Sequence, residues 1–344
     1  MIRPFRLRDS YLLQKLARQS VPLHLERHLT QPHRPLWTAL GAPVPWYGSG
    51  AATFVNPHAN NHTLPAGFVQ ASKHLGRSEA DVCYIAPRLD QNARAGDVWR
   101  ALLKQLIAHA GNFGIQRLYA CLPAQDEAAA IVAASGFTLY VRETLFRLRS
   151  SGRDIFNHAS ASHVRPQREM DSLALQRLSD HYTPPVVQRA EGSFLQENGN
   201  ATPYLIFQNW WQPERMEGLV YEQEDNILGA LRIRRGDNGH WLHFMGDVTQ
   251  QAIMSALLTE GLRRLHRDGK PVYCGVRSYQ NALGAVLSEH AFQPTIELAR
   301  FVKHTTVRTR EPATSKTRLL IETSFPGVIS TDTRPKPRRQ QRQT

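Results

Sequence analysis

The chain has 344 residues, 41% of them hydrophobic, so it carries enough apolar sequence for the cores of two ordinary domains. Its 42 Lys and Arg residues outnumber its 29 Asp and Glu residues, and the formal charge of +13 favours anionic partners. The three cysteines are odd in number and far apart, and no apolar run reaches bilayer length, which excludes a disulfide scaffold and a spanning helix. The charged amino terminus lacks the pattern of a signal peptide, so we expect a cytoplasmic protein with no membrane partner.

The first 50 residues predict a strand, a helix and a segment broken by prolines. Residues 2–6 are typical of a short edge strand, because Pro4 cannot donate to a central ladder. Asp9 or Ser10 can cap a helix over the leucines that follow. Prolines recur between residues 21 and 50, so this span cannot form one continuous helix.

The stretch from residue 80 to residue 149 has the most regular pattern in the chain. A strand pair at 51–56 and 67–73 leads into an apolar strand at 82–86, which stops at Pro87. An amphipathic helix, a strand at 117–122, a helix at 126–134 and a long final strand complete the unit. A strand–helix–strand crossover is right-handed, so the two strands should be parallel neighbours. A loop that enters a helix beyond such a strand can hold an anion on free backbone N–H groups.

The second half of the chain repeats this order. Residues 164–172 align without gaps on residues 2–10, and Ala256–Leu258 matches Ala101–Leu103 further along. Matches in the same order at nearly constant offset indicate a duplication. The second copy predicts a hairpin at 216–221 and 227–235, a strand at 240–245, a helix at 251–267, a strand at 272–276, a helix at 281–289 and a strand pair at 292–304.

This order of elements, with these spacings, resembles the GNAT superfamily of N-acetyltransferases. In that family the loop before the first long helix usually reads R-G-x-G-x-G/A and cradles the pyrophosphate of acyl-CoA. Residues 94–100 read RAGDVWR, with Asp97 and Trp99 where the family usually has its last two glycines. The resemblance implies an α/β fold of two tandem GNAT-like domains, each with a mixed sheet. The expected boundaries are 1–149 for the first domain, 150–162 for a linker, 163–304 for a degenerate second domain and 305–344 for a basic, largely disordered tail.

The resemblance also implies a function, namely acetyl transfer from acetyl-CoA, without a metal, to a small-molecule or peptide amine. The corresponding loop of the second copy, residues 249–254, has neither a glycine nor a cation, so the site is expected in the first domain. The residues implied for cofactor binding are Tyr84, Ile85, Ala86, Arg94, Ala95, Gly96, Asp97, Val98 and Trp99.

Few residues qualify for the proton transfers of this reaction. Glu79 and Asp81 near a strand start are candidate bases, although carboxylates at such positions are more often solvated strand-end charges. Tyr84 is a candidate acid, although strand tyrosines usually pack against neighbours. His243 in the second copy is either a base or a partly buried histidine.

Two alternatives remain open on sequence grounds. The tandem domains could be catalytically silent and bind acyl-CoA or only a protein partner. The basic tail could attach the protein to nucleic acid.

Overall fold

The structure is a computed structural model that describes residues 1–48, 50–57, 64–74, 77–149, 163–192 and 215–305. The expectations for the linker at 150–162 and for the tail lie outside these residues, apart from Thr305. The described part forms one mixed α/β structure in which a single sheet runs through both halves. No helix in this part is long and apolar enough to cross a membrane.

The first half contains seven strands and five α-helices among its described residues. They are β1 (Arg3–Pro4), α1 (Ser10–Ala17), β2 (Val21–Pro22), α2 (Leu25–Thr30), α3 (Pro35–Gly41), β3 (Ala51–Asn56), β4 (Gly67–Lys73), β5 (Glu79–Ala86), α4 (Ala95–Asn112), β6 (Arg117–Pro123), α5 (Glu127–Ala134) and β7 (Thr138–Leu148).

The second half repeats the pattern with six strands and four α-helices in its described ranges. They are β8 (Val164–Pro166), α6 (Ser172–Tyr182), α7 (Pro185–Glu191), β9 (Arg215–Gln223), β10 (Asn226–Arg235), β11 (His240–Gly246), α8 (Gln251–Leu265), β12 (Val272–Arg277), α9 (Ala282–Glu289) and β13 (Phe292–His304). The expected strand pair at 292–304 is one strand with local shifts of register.

Each half opens on the same ionic clamp. Arg3 binds both carboxylate oxygens of Asp9 at 2.6 and 2.8 Å. Arg165 binds both oxygens of Asp171 at 2.8 and 2.9 Å. Both carboxylates also accept a backbone N–H three residues upstream, so the clamp fixes the turn between the first strand and the first helix. The two aligned sequence stretches therefore build the same local structure, as a duplication predicts.

The final strands of the two halves are exchanged. The sheet order is β1-β3-β4-β5-β6-β13-β7-β12-β11-β10-β9-β8, so β13 lies between β6 and β7. Strand β7 pairs with β13 and β12, both from the second half. The sequence predicted that β7 completes the sheet of its own half, and here the structure differs. The described chain accordingly belongs to one compact unit that spans both halves.

The helices cover the two faces of the sheet unequally. On one face α4 and α8 bury continuous apolar stripes in two large cores. Leu102 and Leu257 are fully buried in these cores, and each such side chain stabilises the fold by roughly 1.5–3 kcal/mol. On the other face lie the smaller clusters that contain residues of α1, α2 and α6. The gaps between these smaller clusters leave room for a polar pocket.

Candidate functional site

Strand β5 carries a bulge in the middle of the first half. Its register with β4 shifts between Gln70 and Ala71, so that Cys83 has no ladder partner on β4. Cys83 and Tyr84 consequently pack in the same cluster beside α1 and α3, although they are adjacent in sequence. Strands β5 and β6 pair in parallel at three positions, from Glu79 to Asp81. Their ladder ends there, and the two strands diverge to leave a gap beside Tyr84, Ile85 and Ala86, which the GNAT resemblance implies for cofactor binding.

This first gap is filled by the chain itself. The backbone N–H of Leu23 donates to the carbonyl oxygen of Cys83 at 2.9 Å, and the carbonyl oxygen of Leu23 accepts from Cys121 at 2.7 Å. The Leu23 side chain is fully buried in the core beneath. Residues 21–24 therefore act as a short inserted strand that satisfies the backbone groups of both diverging strands.

Tyr84, Ile85 and Ala86, which the resemblance implies for cofactor binding, lie beside this insert. Tyr84 and Ile85 are the ladder partners of Pro22 and Val21, and Ala86 is fully buried. The Tyr84 hydroxyl lies 3.5 Å from Nδ1 of His28, and burial raises the pKa of Tyr84 well above its usual value. Tyr84 is thus a packed phenol in this structure.

The predicted phosphate loop forms the first turn of α4. The helix begins at Ala95, and Arg94, Asp97 and Arg100 form an exposed cluster in which Arg100 binds Asp97 at 2.9 Å. Trp99 is fully buried, like its neighbour Val98, and its indole N–H donates to the carbonyl oxygen of Pro87 at 2.7 Å. Gly96 is half-buried, and a Cβ built there would lie 3.4 Å from Ile131. The place of the last family glycine therefore holds a core side chain, and the place of the preceding one holds a carboxylate.

The two predicted bases, Glu79 and Asp81, are buried and paired. Asp81 lies 2.9 Å from Nε2 of His74 and 3.4 Å from Nε2 of His24. Burial opposes the charge on Asp81, but the two histidines outweigh it and hold the pKa of Asp81 well below its usual value. Glu79 accepts from Arg117 at 2.6 Å. Both carboxylates are therefore members of an ionic cluster rather than solvated strand ends.

The second half has a gap of its own. Strands β11 and β12 pair in parallel from His240 to Leu242 and then diverge. The side chain of Gln280 reaches across and donates to the carbonyl oxygen of Phe244 at 3.3 Å. Among the described residues no backbone segment of another element pairs with both diverging strands here, in contrast to the first half.

A pocket of about 220 Å³ lies on the face of the sheet that carries α2, α6 and α7. Its lining runs from His74 and Asp81 in the first half to Phe244, Gly246 and Gln280 at the second gap. The exchanged strands β7 and β13 contribute the middle of its lining, including Tyr140 and Arg300. The pocket therefore joins the ionic cluster of one half to the gap of the other.

An ionic network crosses the middle of the pocket. Arg300 donates to Glu26 at 2.9 Å and to Glu143, and Arg234 donates to Glu26 at 2.7 Å. Burial opposes ionisation of Glu26, but the two guanidinium groups outweigh it and lower its pKa to about 2. These residues come from α2, β7, β10 and β13, so the network ties the two halves together.

Arg277 and His243 lie at the second-half end of the pocket. Arg277 donates to both carboxylate oxygens of Glu191, at 2.7 and 3.0 Å, and Tyr140 donates to Glu191 at 2.9 Å. Burial and the nearby guanidinium groups of Arg277 and Arg232 lower the pKa of His243 to about 3. Sequence reasoning weighed His243 but missed Arg277, because its partner Glu191 lies 86 positions away and no local pattern links the two.

Comparison with known proteins agrees with this architecture. No protein-family model and no curated protein sequence matches the chain. A tandem GNAT protein from the clavulanic acid biosynthesis pathway superposes with a TM-score of 0.53 at 13% identity, covering 89% of this chain and 98% of that one. This chain has the GNAT fold.

Other solved structures with the GNAT fold are similar to the chain at a lower level. A GCN5-related N-acetyltransferase from Sphaerobacter thermophilus gives a TM-score of 0.48 at 13% identity and covers 89% of this chain and 95% of its own. A GNAT-family acetyltransferase from Colwellia psychrerythraea gives 0.44 at 15% identity and covers 88% and 99%. In the part of the chain that the structure describes, no group of three or more His, Cys, Asp or Glu side chains is arranged to hold a metal ion.

Proposed function

We propose that this protein is an acyl-CoA-dependent N-acyltransferase whose acceptor amine occupies the pocket between the halves. The acyl thioester would enter through the gap between β11 and β12. One observation carries this placement. The gap of the first half is filled by residues 21–24, whereas the gap of the second half lines the pocket. The sequence placed the site in the first half, and the filled gap is the reason to place it in the second.

Acyl transfer to an amine requires a neutral amine and a proton for the thiolate that leaves. In this proposal the neutral imidazole of His243 accepts a hydrogen bond from the amine and orients it. Tyr279 lines the same pocket, and its hydroxyl oxygen accepts from Arg277 at 3.0 Å. Its own proton is therefore directed away from Arg277. We assign Tyr279 the role of proton donor to the thiolate that leaves when the C–S bond breaks, and the proton that the amine loses as the amide bond forms restores the Tyr279 hydroxyl.

The start of α8, which follows the second gap, is poorly suited to bind the phosphates of CoA. The carboxylate of Asp247 accepts from the backbone N–H of Thr249 at 3.0 Å and from the Thr249 hydroxyl at 2.6 Å. A carboxylate at this position repels phosphate. This observation favours a second candidate function, a catalytically silent tandem GNAT-like protein that acts as a scaffold for a protein partner.

Calorimetric titration of acetyl-CoA and CoA into the full chain separates the two functions. We expect acetyl-CoA to bind, and we expect Gln280→Phe, which narrows the second gap, to weaken binding at least tenfold. Arg94→Glu, which changes an exposed side chain in the first half, should leave the affinity unchanged.

The opposite pattern, with loss at Arg94 and none at Gln280, would return the cofactor to the first half. Absence of acetyl-CoA binding by the unmodified chain would contradict the enzymatic proposal and leave the scaffold. Circular dichroism of both variants should match the unmodified protein, so that loss of binding is not loss of fold.

A further inference from the structure

We infer that the second-half end of the pocket is a binding site for a small carboxylate, recognised by His243 together with the guanidinium of Arg277. If the proposed function holds, on which this part of the inference rests, the acceptor is an amine that also carries a carboxylate. The family resemblance does not specify the acceptor, whereas the side chains at this end of the pocket favour a carboxylate.

The first observation is an unsatisfied donor on a buried cation. Arg277 is only 7% exposed, and its terminal nitrogens bind Glu191 and Tyr279. Its Nε–H has no acceptor within the part of the chain that the structure describes. A buried donor without an acceptor destabilises the protein, and this cost is recovered when an acceptor binds. A carboxylate supplies that acceptor and adds the attraction of an opposite charge.

The second observation concerns His243, which lies on β11 and lines the pocket. No hydrogen bond joins its ring to another side chain or backbone group in the described ranges. A neutral imidazole always has one N–H, so His243 offers the pocket a second donor on the same side as Arg277.

The third observation is the sign of the surrounding charge. Arg277 and Arg232 act on His243 from the neighbouring strands β12 and β10, and Arg300 acts from β13. Three carboxylates bind these cations: Glu26 on α2 and Glu143 on β7 bind Arg300, and Glu191 on α7 binds Arg277. Arg234 also binds Glu26, so the four guanidinium groups of Arg232, Arg234, Arg277 and Arg300 outnumber these three carboxylates. The excess positive charge attracts an anion. An ammonium group is repelled by these cations, and a neutral amide accepts a hydrogen bond through its carbonyl oxygen but lacks the opposite charge.

Titration calorimetry on the full chain without acetyl-CoA tests the site directly, with butanoate and butanamide as probes of matched size. We expect butanoate to bind at least tenfold more tightly than butanamide. Arg277→Lys keeps the positive charge but removes the Nε–H, and it should weaken butanoate at least tenfold. Arg142→Gln is the matched control, because Arg142 is an exposed arginine paired with Glu297 outside the pocket.

Equal binding of both probes, binding of neither, or unchanged affinity in Arg277→Lys would each overturn the inference. Tighter binding of inorganic phosphate than of butanoate would overturn the carboxylate assignment. If Arg277→Lys does not fold, His243→Phe removes the other donor, and retained affinity in that variant would likewise refute the site.

Acyl transfer distinguishes this inference from the function on which it rests. We expect 4-aminobutanoate to be acylated from acetyl-CoA at least tenfold faster than butylamine. Equal rates for the two amines would refute an acceptor that carries a carboxylate, and would still support the proposed acyltransferase activity. Butanoate binding with no transfer to either amine would reject the enzyme and retain the carboxylate site.

Discussion

At the scale of single residues, the pocket is defined by how burial and charge act on its ionisable groups. His74 and His243 illustrate the two directions. The pKa of His74 is raised, because Asp81 outweighs the effect of burial. The pKa of His243 is lowered to about 3, because burial and the neighbouring guanidinium groups act in the same direction. Protonation of the imidazole is therefore favoured for His74 by Asp81 and opposed for His243 by burial and the guanidinium groups.

The His243 shift predicts a specific dependence of stability on pH. In the unfolded chain a histidine titrates near pH 6.5, so at pH 5 the unfolded state binds a proton that the folded state does not. A lowered pKa gives stability that is present above pH 6.5 and is lost as the pH falls. From pH 7.5 to pH 5 this group should remove about 2 kcal/mol from the free energy of unfolding.

Denaturant unfolding of His243→Gln at both pH values checks this expectation. The variant should lose about 2 kcal/mol less than the unmodified protein over that range. His163→Gln, at an exposed position, is the control and should follow the unmodified protein. An identical pH dependence in His243→Gln and the unmodified chain would contradict the shift.

At the scale of elements, the inserted segment at residues 21–24 decides which gap is open. A backbone segment of only four residues has little intrinsic preference to form a strand between two others. Burial of Leu23 in the core and its two backbone hydrogen bonds hold it there. Fold stability and the filling of the first gap therefore depend on the same side chain.

Leu23→Ala should destabilise the protein by about 2–5 kcal/mol, because the surrounding core cannot close fully around the cavity left behind. Chemical denaturation measures the loss. Leu7→Ala removes a leucine that is 70% exposed and should change the free energy of unfolding by less than about 0.5 kcal/mol. Similar effects of the two substitutions would mean that the insert is not part of the core.

At the scale of the whole molecule, the exchange of β7 and β13 makes the two halves depend on each other. Strand β7 finds its two neighbours in the second half, and β13 finds its neighbour β6 in the first. The ionic network of Glu26, Glu143, Arg234 and Arg300 lies across the same junction. Neither half alone supplies the hydrogen-bond partners of its central strand or the opposite charges that pair with its buried ionic groups.

Fragments 1–149 and 163–305 should therefore fail to fold cooperatively when produced separately, and should form a folded 1:1 complex when mixed. Circular dichroism melting and size-exclusion chromatography measure both outcomes. Two independently folded monomers would show that the exchanged strands are dispensable. A circular dichroism spectrum of the mixture equal to the sum of the separate fragments would show the same absence of mutual dependence.

The sequence by itself determined the local structure and the duplication. Apolar spacing located α4 and α8, the proline at position 4 marked an edge strand, and aligned residues in the two copies predicted matching local structure, which the two Arg–Asp clamps confirm. These features depend on residues within a few positions of one another, so spacing is sufficient to predict them.

The tertiary structure alone decided which strands are neighbours, and with them the candidate site. Trp99 and Leu23 show why. Nothing in the sequence around Trp99 indicates that its indole donates to Pro87. Nothing around Leu23 indicates that it bridges Cys83 and Cys121, roughly 60 and 100 residues further along the chain. Arg277 likewise meets its buried partner Glu191, 86 positions away in sequence, only in the folded chain, and Tyr140 of the other half donates to the same carboxylate. Such pairings depend on the free energy of the whole sheet, in which contacts distant in sequence outweigh local preference, and no local pattern encodes them.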